Sequence, residues 1–244
     1  LVACEYSGTV RDAFSALGWD AWSCDLLPTE SEKTKSEGKH IMADVRLLIP
    51  GNWDLMICHP PCTYLTVAGN RHIPGNPKRW EKQYEAIMFA WDLFNADIPH
   101  IAMENPVGVL STYIRKPDQI IQPYEYGHPE SKKTCLWLKE LPELQPTHIL
   151  SLPKCGHWNN QTADGQNKVM YNGKWLAFND PMTAHLRSKT YEGIALAMAE
   201  QWTEYINHVS SKAPYGYEGD MFRYSEVYYT TLEPPKIAFT YGGK

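Results

Sequence analysis

The strongest constraint on the fold is a stretch in the first half of the chain where two short apolar runs flank one amphipathic segment. Trp53-Asp54-Leu55-Met56-Ile57 and Ile98-Pro99-His100-Ile101-Ala102-Met103 have the length and content of short buried strands. Between them Trp80, Tyr84, Ile87, Met88, Trp91 and Phe94 stand 4, 3, 1, 3 and 3 residues apart, the apolar stripe of a helix. Strand, helix and strand form a parallel crossover, so both strands point at the same edge of the sheet. At that edge the chain carries Cys58-His59-Pro60-Pro61-Cys62 after the first run and Glu104-Asn105-Pro106 after the second. Ligands of α/β sheets collect outside the carboxyl ends of the strands, so a thiol and a carboxyl are expected to share one site.

The flanking sequence extends the same pattern. Leu1 to Cys4 reads as a strand, Glu5 to Thr9 as a glycine-containing turn, and Thr9 to Leu17 as a helix ending before Gly18. Trp19 to Asp25 is a second strand with an acid at its end, which completes a βαβ unit. A polar loop from Thr29 to Lys39 leads to a weaker strand, His40 to Asp44, which also ends in an acid. The loop from Gly69 to Pro77, rich in Gly, Pro and Asn, has the length of a lid beside a site. Gln119 to Tyr126 and Thr134 to Leu138 read as a hairpin closing the sheet, joined through Gly127 to Lys133. Four regions result: a core over 1–140, a small irregular insertion over 141–187, a helix packing back over 188–209, and a partly ordered tail over 210–244. The packing helix is carried by Tyr191, Ile194, Ala195, Met198, Trp202, Tyr205 and Ile206.

Composition narrows the class. At 244 residues the chain can bury one core with at most a small appended lobe. Its six cysteines are irregularly spaced and mostly lie in or at the end of apolar runs, the pattern of reduced thiols rather than a disulfide framework. With no signal peptide and no apolar stretch near the ~18 residues of a membrane span, a soluble, cytoplasmic monomer is expected, with no membrane partner. The first apolar run begins at Leu1 itself, so the first strand is expected to extend beyond it. The 23 Lys and Arg against 28 Asp and Glu leave a net charge of −5, so any nucleic-acid contact must come from a local basic patch.

Taken singly, the candidate site residues have ordinary readings. Asp25 at a strand end and Gly8 in the first turn fit a ribose-hydroxyl acceptor and a close ligand approach, but a strand-end Asp is also a common solvated cap. Cys62 sits in a loop stiffened by two prolines, and a thiolate is the strongest side-chain nucleophile near neutral pH, whereas an isolated cysteine is commonly a buried structural one. Lys132 and Lys133 suit phosphate or a solvated loop tip, and Arg71 suits closure over a ligand or plain surface. Trp80, Trp91 and Trp202 belong to apolar stripes and are expected in the core. Cys155-Gly156-His157 with Cys58 and His59 lacks the paired spacing of a zinc site, so no metal is expected.

In order, these pieces resemble the cytosine-C5 DNA methyltransferase family, over roughly residues 1–140, and look closest to its compact phage-type members. The family's cofactor turn, Phe-x-Gly-x-Gly, falls on Cys4-Glu5-Tyr6-Ser7-Gly8, which keeps only the second glycine. Its ribose-binding acid falls on Asp25 and its adenine-contacting Asp on Asp44. Its Pro-Cys-Gln-x-x-Ser falls on Pro61-Cys62-Thr63-Tyr64-Leu65-Thr66, preceded by Pro60, and its Glu-Asn-Val on Glu104-Asn105-Pro106. Its Tyr-Gly-x-Pro-Gln-x-Arg-x-Arg falls on Tyr126 to Thr134, where Glu130 replaces Gln and Lys132 and Thr134 replace the arginines. Lysine cannot form arginine's planar two-point fork, so contacts there are expected to differ. The family's final motif is echoed in Tyr191-Glu192-Gly193-Ile194-Ala195, and its arginine-rich motif has no clear counterpart.

The resemblance implies a Rossmann-like α/β fold that binds S-adenosylmethionine, a mostly parallel sheet with a C-terminal hairpin, and a short target-recognition insertion between hairpin and last helix. It also implies that Cys62 adds to C6 of cytosine and Glu104 stabilises the ring, with Pro61 and Asn105 in support. Tyr6, Ser7, Gly8, Asp25, Asp44 and Pro60 would line the cofactor, and Thr66, Arg71, Lys132 and Lys133 the substrate. A base in duplex DNA would be flipped out to be reached. Three alternatives stand beside this reading: the same chemistry on RNA or a free cytosine nucleotide, a catalytically silent nucleic-acid-binding relative, and an amino-group methyltransferase. The last is weaker, because no aromatic follows the two prolines and such an enzyme would not need Glu104.

Overall fold

The computed structural model describes residues 1–67, 75–156, 158, 161, 168–177 and 179–212. Its seven main strands are β1 (Val2–Ala3), β2 (Ser23–Asp25), β3 (His40–Met42), β4 (Leu55–Cys58), β5 (His100–Pro106), β6 (Gln119–Ile121) and β7 (Thr134–Lys139). They form one sheet in the order β3-β2-β1-β4-β5-β7-β6. The pairs from β3 through β5 are all parallel, and β7 runs antiparallel to both β5 and β6. This is the mostly parallel, Rossmann-like α/β sheet with a closing hairpin that the sequence implies. Strand order reverses between β1 and β4, which opens a crevice above their carboxyl ends.

Alternation along the strands feeds two cores. On β4 and β5, Leu55, Ile57 and Ala102 face one side, where they meet Val10, Phe14, Ile194, Met198 and Trp202. Those partners come from helices α1 (Thr9–Ala16) and α6 (Glu192–Lys212). Met56, Cys58, Ile101 and Met103 face the other side, against Ile87, Ala90 and Leu93. These belong to α3 (Pro77–Phe94), followed after β5 by the single turn α4 (Leu110–Tyr113). Each large apolar side chain so buried stabilises the fold by about 1.5–3 kcal/mol.

Several expectations are corrected. The presumed polar loop from Thr29 to Lys39 contains helix α2 (Glu32–Glu37), capped by the Ser31 hydroxyl accepting from Thr34 N and ended by Gly38 at φ 64°. It packs through polar contacts, Ser31 and Thr34 on Asp12 and Glu37 on the buried Arg11, so no apolar stripe announces it. The buried face of α3 is Gln83, Ile87, Ala90 and Leu93, rotated from the predicted stripe. Trp80 and Tyr84 instead stack on one another at its flank with Tyr84 39% exposed, and Trp80 and Trp91 are only half-buried, unlike the fully buried Trp202. β5 continues to Pro106 because Glu104, Asn105 and Pro106 pair with Leu136, Cys135 and Thr134 of β7, so Glu104 lies within a strand rather than after it. The insertion holds a small hairpin, β8 (Met170–Tyr171) with β9 (Lys174–Trp175), and helix α5 (Pro181–Arg187), whose start is capped by Asp180. Arg71, His157 and the tail beyond Lys212 lie outside the described residues. No helix among the described residues is long and apolar enough to cross a membrane.

Candidate active site

The loop after β4 is held from three directions. His59 N donates to Ala3 O and continues the ladder between β4 and β1. Pro60 and Pro61 have no N–H to satisfy and stiffen the exit, and Cys62 opens the 3-10 turn Cys62–Tyr64. From β5, the buried Asn105 donates through Nδ2 to Pro60 O at 2.7 Å. From α3, Gln83 Nε2 donates to Tyr64 O at 2.8 Å. From the chain beyond β5, Val109 N donates to Leu65 O at 2.8 Å. Gly108 permits that last approach, since a Cβ there would stand 2.0 Å from Leu65 O.

Through Nδ2, Asn105 therefore ties the Cys62 loop to β5. Asn105→Ala leaves Pro60 O without its donor and frees Cys62 from β5. The expected result is a loss of about 1–3 kcal/mol in urea unfolding. Any activity that depends on Cys62 placement should fall roughly 10- to 100-fold, measured on the folded fraction.

Alternation places His59 and Glu104 on the α1/α6 side of the sheet, in step with Ile57 and Ala102. His59 Nδ1 lies 3.2 Å from Glu104 Oε2, with side chains 11% and 19% exposed. Burial pushes the Glu104 carboxyl up, but the hydrogen bond and charge of His59 and the charge of Lys132 outweigh it, leaving the carboxyl below its usual range. Cys62 is exposed. Partial desolvation and nearby Glu104 raise its thiol above the ordinary value, while the charges of Lys132 and Arg187 pull it down. Thiol, carboxyl, imidazole and cations thus act on one another at the carboxyl ends of β4 and β5.

The lowered Glu104 value carries a sign. A carboxyl that binds its proton more weakly when folded adds stability above the unfolded value of ~4.3, and that stability drains as pH falls through the lower folded value. The advantage of the parent over Glu104→Gln in urea unfolding is therefore expected to shrink between neutral pH and about pH 3.

The residues expected from sequence to line a cofactor lie around the crevice at β1 and β2. Asp25 ends β2 and accepts only from Leu27 N through Oδ1, so Oδ2 has no partner among the described residues. That suits a hydroxyl acceptor. Tyr6 is occupied: its ring stacks on His185 at 4.9 Å, and its hydroxyl meets His185 O and Ser188 Oγ. Ser7 donates to Glu5. Gly8, at φ 76°, is covered by Ser31, whose Cβ would be 2.4 Å from an added Cβ, so a ligand does not approach that backbone as expected from sequence. Asp44 caps the turn after β3 and is paired with Arg46. The fit to S-adenosylmethionine is therefore partial: Asp25 is open to a ribose, whereas Asp44 would have to leave Arg46 and Tyr6 would have to leave His185.

On the substrate side, Lys132 is no solvated loop tip. Its Nζ donates to Arg187 O at 2.9 Å, and its charge reaches both Glu104 and Cys62. Lys133 is exposed. Thr66 is bridged to Gly108 and anchors the loop. A narrow cleft over Glu104 is lined by Lys132, Ser188, Lys189, Tyr191 and Ile194. The C-terminal end of α5 thus borders the site, and Glu30 ties it down by pairing with His185 and Lys189. Arg187, Lys189, His59 and Glu5 were not singled out by sequence as parts of the reaction centre. A signal that could have announced α5 is Asp180-Pro181, a capping residue followed by proline at the first helical position.

No protein-family model matches the chain, and no curated protein does. Among solved structures, a crystal structure described as a DNA modification methyltransferase encoded within a prophage (E. coli) superposes with a TM-score of 0.40 at 14% identity. The match covers 62% of this chain and 51% of that one, so the chain spans about half the length of that protein. At that level the likeness adds nothing to what the strand order itself shows.

Proposed function

We propose that the protein is a methyltransferase that moves a methyl group from S-adenosylmethionine to C5 of cytosine in DNA through a covalent Cys62 adduct. The observation that carries this reading is the convergence of Cys62, Glu104 and Lys132 above the ends of β4 and β5, next to the crevice where strand order reverses. C5 of cytosine is a poor nucleophile, and addition of a thiolate to C6 makes it an enamine carbon able to attack an electrophile. Glu104, largely buried and hydrogen-bonded to His59, would hydrogen-bond the pyrimidine edge and supply the proton that N3 takes up as the ring loses aromaticity. Lys132 and Arg187 favour the thiolate that attacks. S-adenosylmethionine, when bound, supplies the electrophilic methyl. Asp25 is the residue open to its ribose, with Tyr6, Ser7, Gly8, Asp44 and Pro60 around it.

DNA is favoured over a free nucleotide because the acidic chain nevertheless gathers Lys132, Lys133, Arg187 and Lys189 on the elements bordering the site. Cytosine in a duplex would be flipped out of the stack to reach Cys62 and Glu104. The test is labelled-methyl transfer to mixed-sequence duplex DNA in competition with RNA and cytidine nucleotides, with the product nucleoside identified by mass and chromatography. Label in 5-methyldeoxycytidine, displaced by DNA but not by the others, supports the reading. Label in RNA or nucleotide moves the substrate, and label on an exocyclic amine removes the covalent mechanism.

A further inference from the structure

His59 is an ionisable side chain of the site that directly contacts Glu104 and to which the proposed reaction assigns no proton or bond. It leaves β4 two residues before the Pro-Pro turn closes, and its ring is buried between elements that carry acids. From β5, Glu104 Oε2 meets Nδ1 at 3.2 Å. From the β1–α1 turn, the buried Glu5 lies near enough for the ring's charge to lower its carboxyl, although burial keeps that carboxyl raised. Glu5 is already spent on the start of α1, accepting from Val10 N at 2.7 Å and Arg11 N at 3.1 Å. From the connection before β7, Lys132 brings a positive charge to Glu104. His59 Nε2 is buried and has no hydrogen-bond partner among the described residues. Among those residues the ring's hydrogen bond is the one to Glu104, and a purely structural histidine would be costly here with its other nitrogen orphaned.

We propose that His59 is the positioning residue of Glu104: it holds Oε2 through Nδ1, leaves Oε1 to face the base, and stabilises the carboxylate that forms when Glu104 gives its proton to the ring. The step rests on the cytosine reading and balances as follows. Cys62 reacts as the thiolate, its proton having gone to solvent; as Sγ bonds C6, the C5–C6 π pair moves to C4–C5, and the C4–N3 π pair falls on N3. N3 takes the proton of the protonated form of Glu104, and the carboxylate left behind is held by His59 Nδ1–H. C5 then bonds the methyl as the donor's S–CH3 bond breaks, the C5 proton passes to water as Sγ leaves C6 with its bonding pair, and N3 returns its proton to Glu104.

The test pairs a titration with a rate profile. In His59→Leu, the carboxyl of Glu104, followed by carbon-13 NMR and assigned with Glu104→Gln, is expected to titrate about 1–3 pH units higher, because burial remains while its partner's bond and charge are gone. His59→Asn keeps an N–H near the position of Nδ1 but cannot titrate. It should retain part of kcat, about 10- to 100-fold below the parent. Its alkaline limb should be displaced to higher pH, in step with the raised Glu104 titration. Should His59→Leu fail to fold, His59→Asn carries the same titration, since it too lacks the ring's charge. A Glu104 titration unchanged from the parent, or kcat profiles that superimpose, overturns the proposal. If the parent transfers no methyl to cytosine, the functional reading fails by itself, and the NMR titration still decides whether His59 governs this carboxyl.

Discussion

Replacing Cys62 by alanine is expected to abolish methyl transfer while leaving the fold intact. Cys62 is exposed, makes no side-chain hydrogen bond to another described residue, and belongs to neither core cluster, so its removal should change unfolding free energy by no more than about 0.5 kcal/mol. The rate should fall by a factor on the order of 10⁴ or more, the scale on which nucleophile deletions act. Cys62→Ser tests the same point more finely. It keeps the shape but replaces a thiol by a hydroxyl that ionises far less readily, and it should be nearly as inactive. Single-turnover transfer of labelled methyl to duplex DNA, with circular dichroism as the control for folding, measures both. A Cys62→Ala protein that still methylates cytosine would remove the covalent mechanism.

Glu104→Gln should be the second most damaging change. Glutamine keeps the length and one oxygen of the side chain but can no longer give up a proton to N3 and leave a carboxylate for His59 to hold. A loss of roughly 10²–10⁴-fold in kcat is expected, with a smaller change in affinity for DNA, because the missing interaction matters most as charge develops on the ring. The pH profile should also lose the limb that belongs to Glu104. Equal losses in binding and in kcat would instead mark Glu104 as a plain contact to the base.

The legible part of the fold was the part written in apolar periodicity. The crossover from Leu55 through Ile87 to Met103, and the last helix with Ile194, Met198 and Trp202, carry large side chains on one face and pack as that pattern requires. Helix α2 was invisible because its stabilising contacts are Arg11, Asp12, Ser31, Thr34 and Glu37, and such polar pairing leaves no stripe in the sequence. The rotation of α3 was hidden because Ala90 and Gln83 make the close contacts, whereas Trp80 and Tyr84 satisfy one another at the flank.

The site divides in the same way. Cys62 and Glu104 were readable because each follows a strand-like run, and parallel pairing of β4 with β5 brings neighbouring ends together. His59, by contrast, looked like half of an incomplete metal motif, and its pairing with Glu104 depends on the registry of Cys58 with Met103. The reach of α5 to the site depends on long-range ties, Lys132 to Arg187 O and Glu30 to His185 and Lys189, between segments separated by more than fifty residues. Local pattern carries no information about such contacts.

The central claim is a bond between Cys62 Sγ and C6 of cytosine, and it can be caught directly. With 5-fluorodeoxycytidine in a duplex otherwise methylated by the protein, C5 carries no proton to lose after methyl transfer, and the adduct should persist. Incubation with S-adenosylmethionine, followed by intact mass and peptide mapping, is predicted to show the protein heavier by the oligonucleotide plus one methyl, attached at Cys62. A duplex methylated at cytosine with no adduct, or an adduct mapped to another residue, would contradict the account.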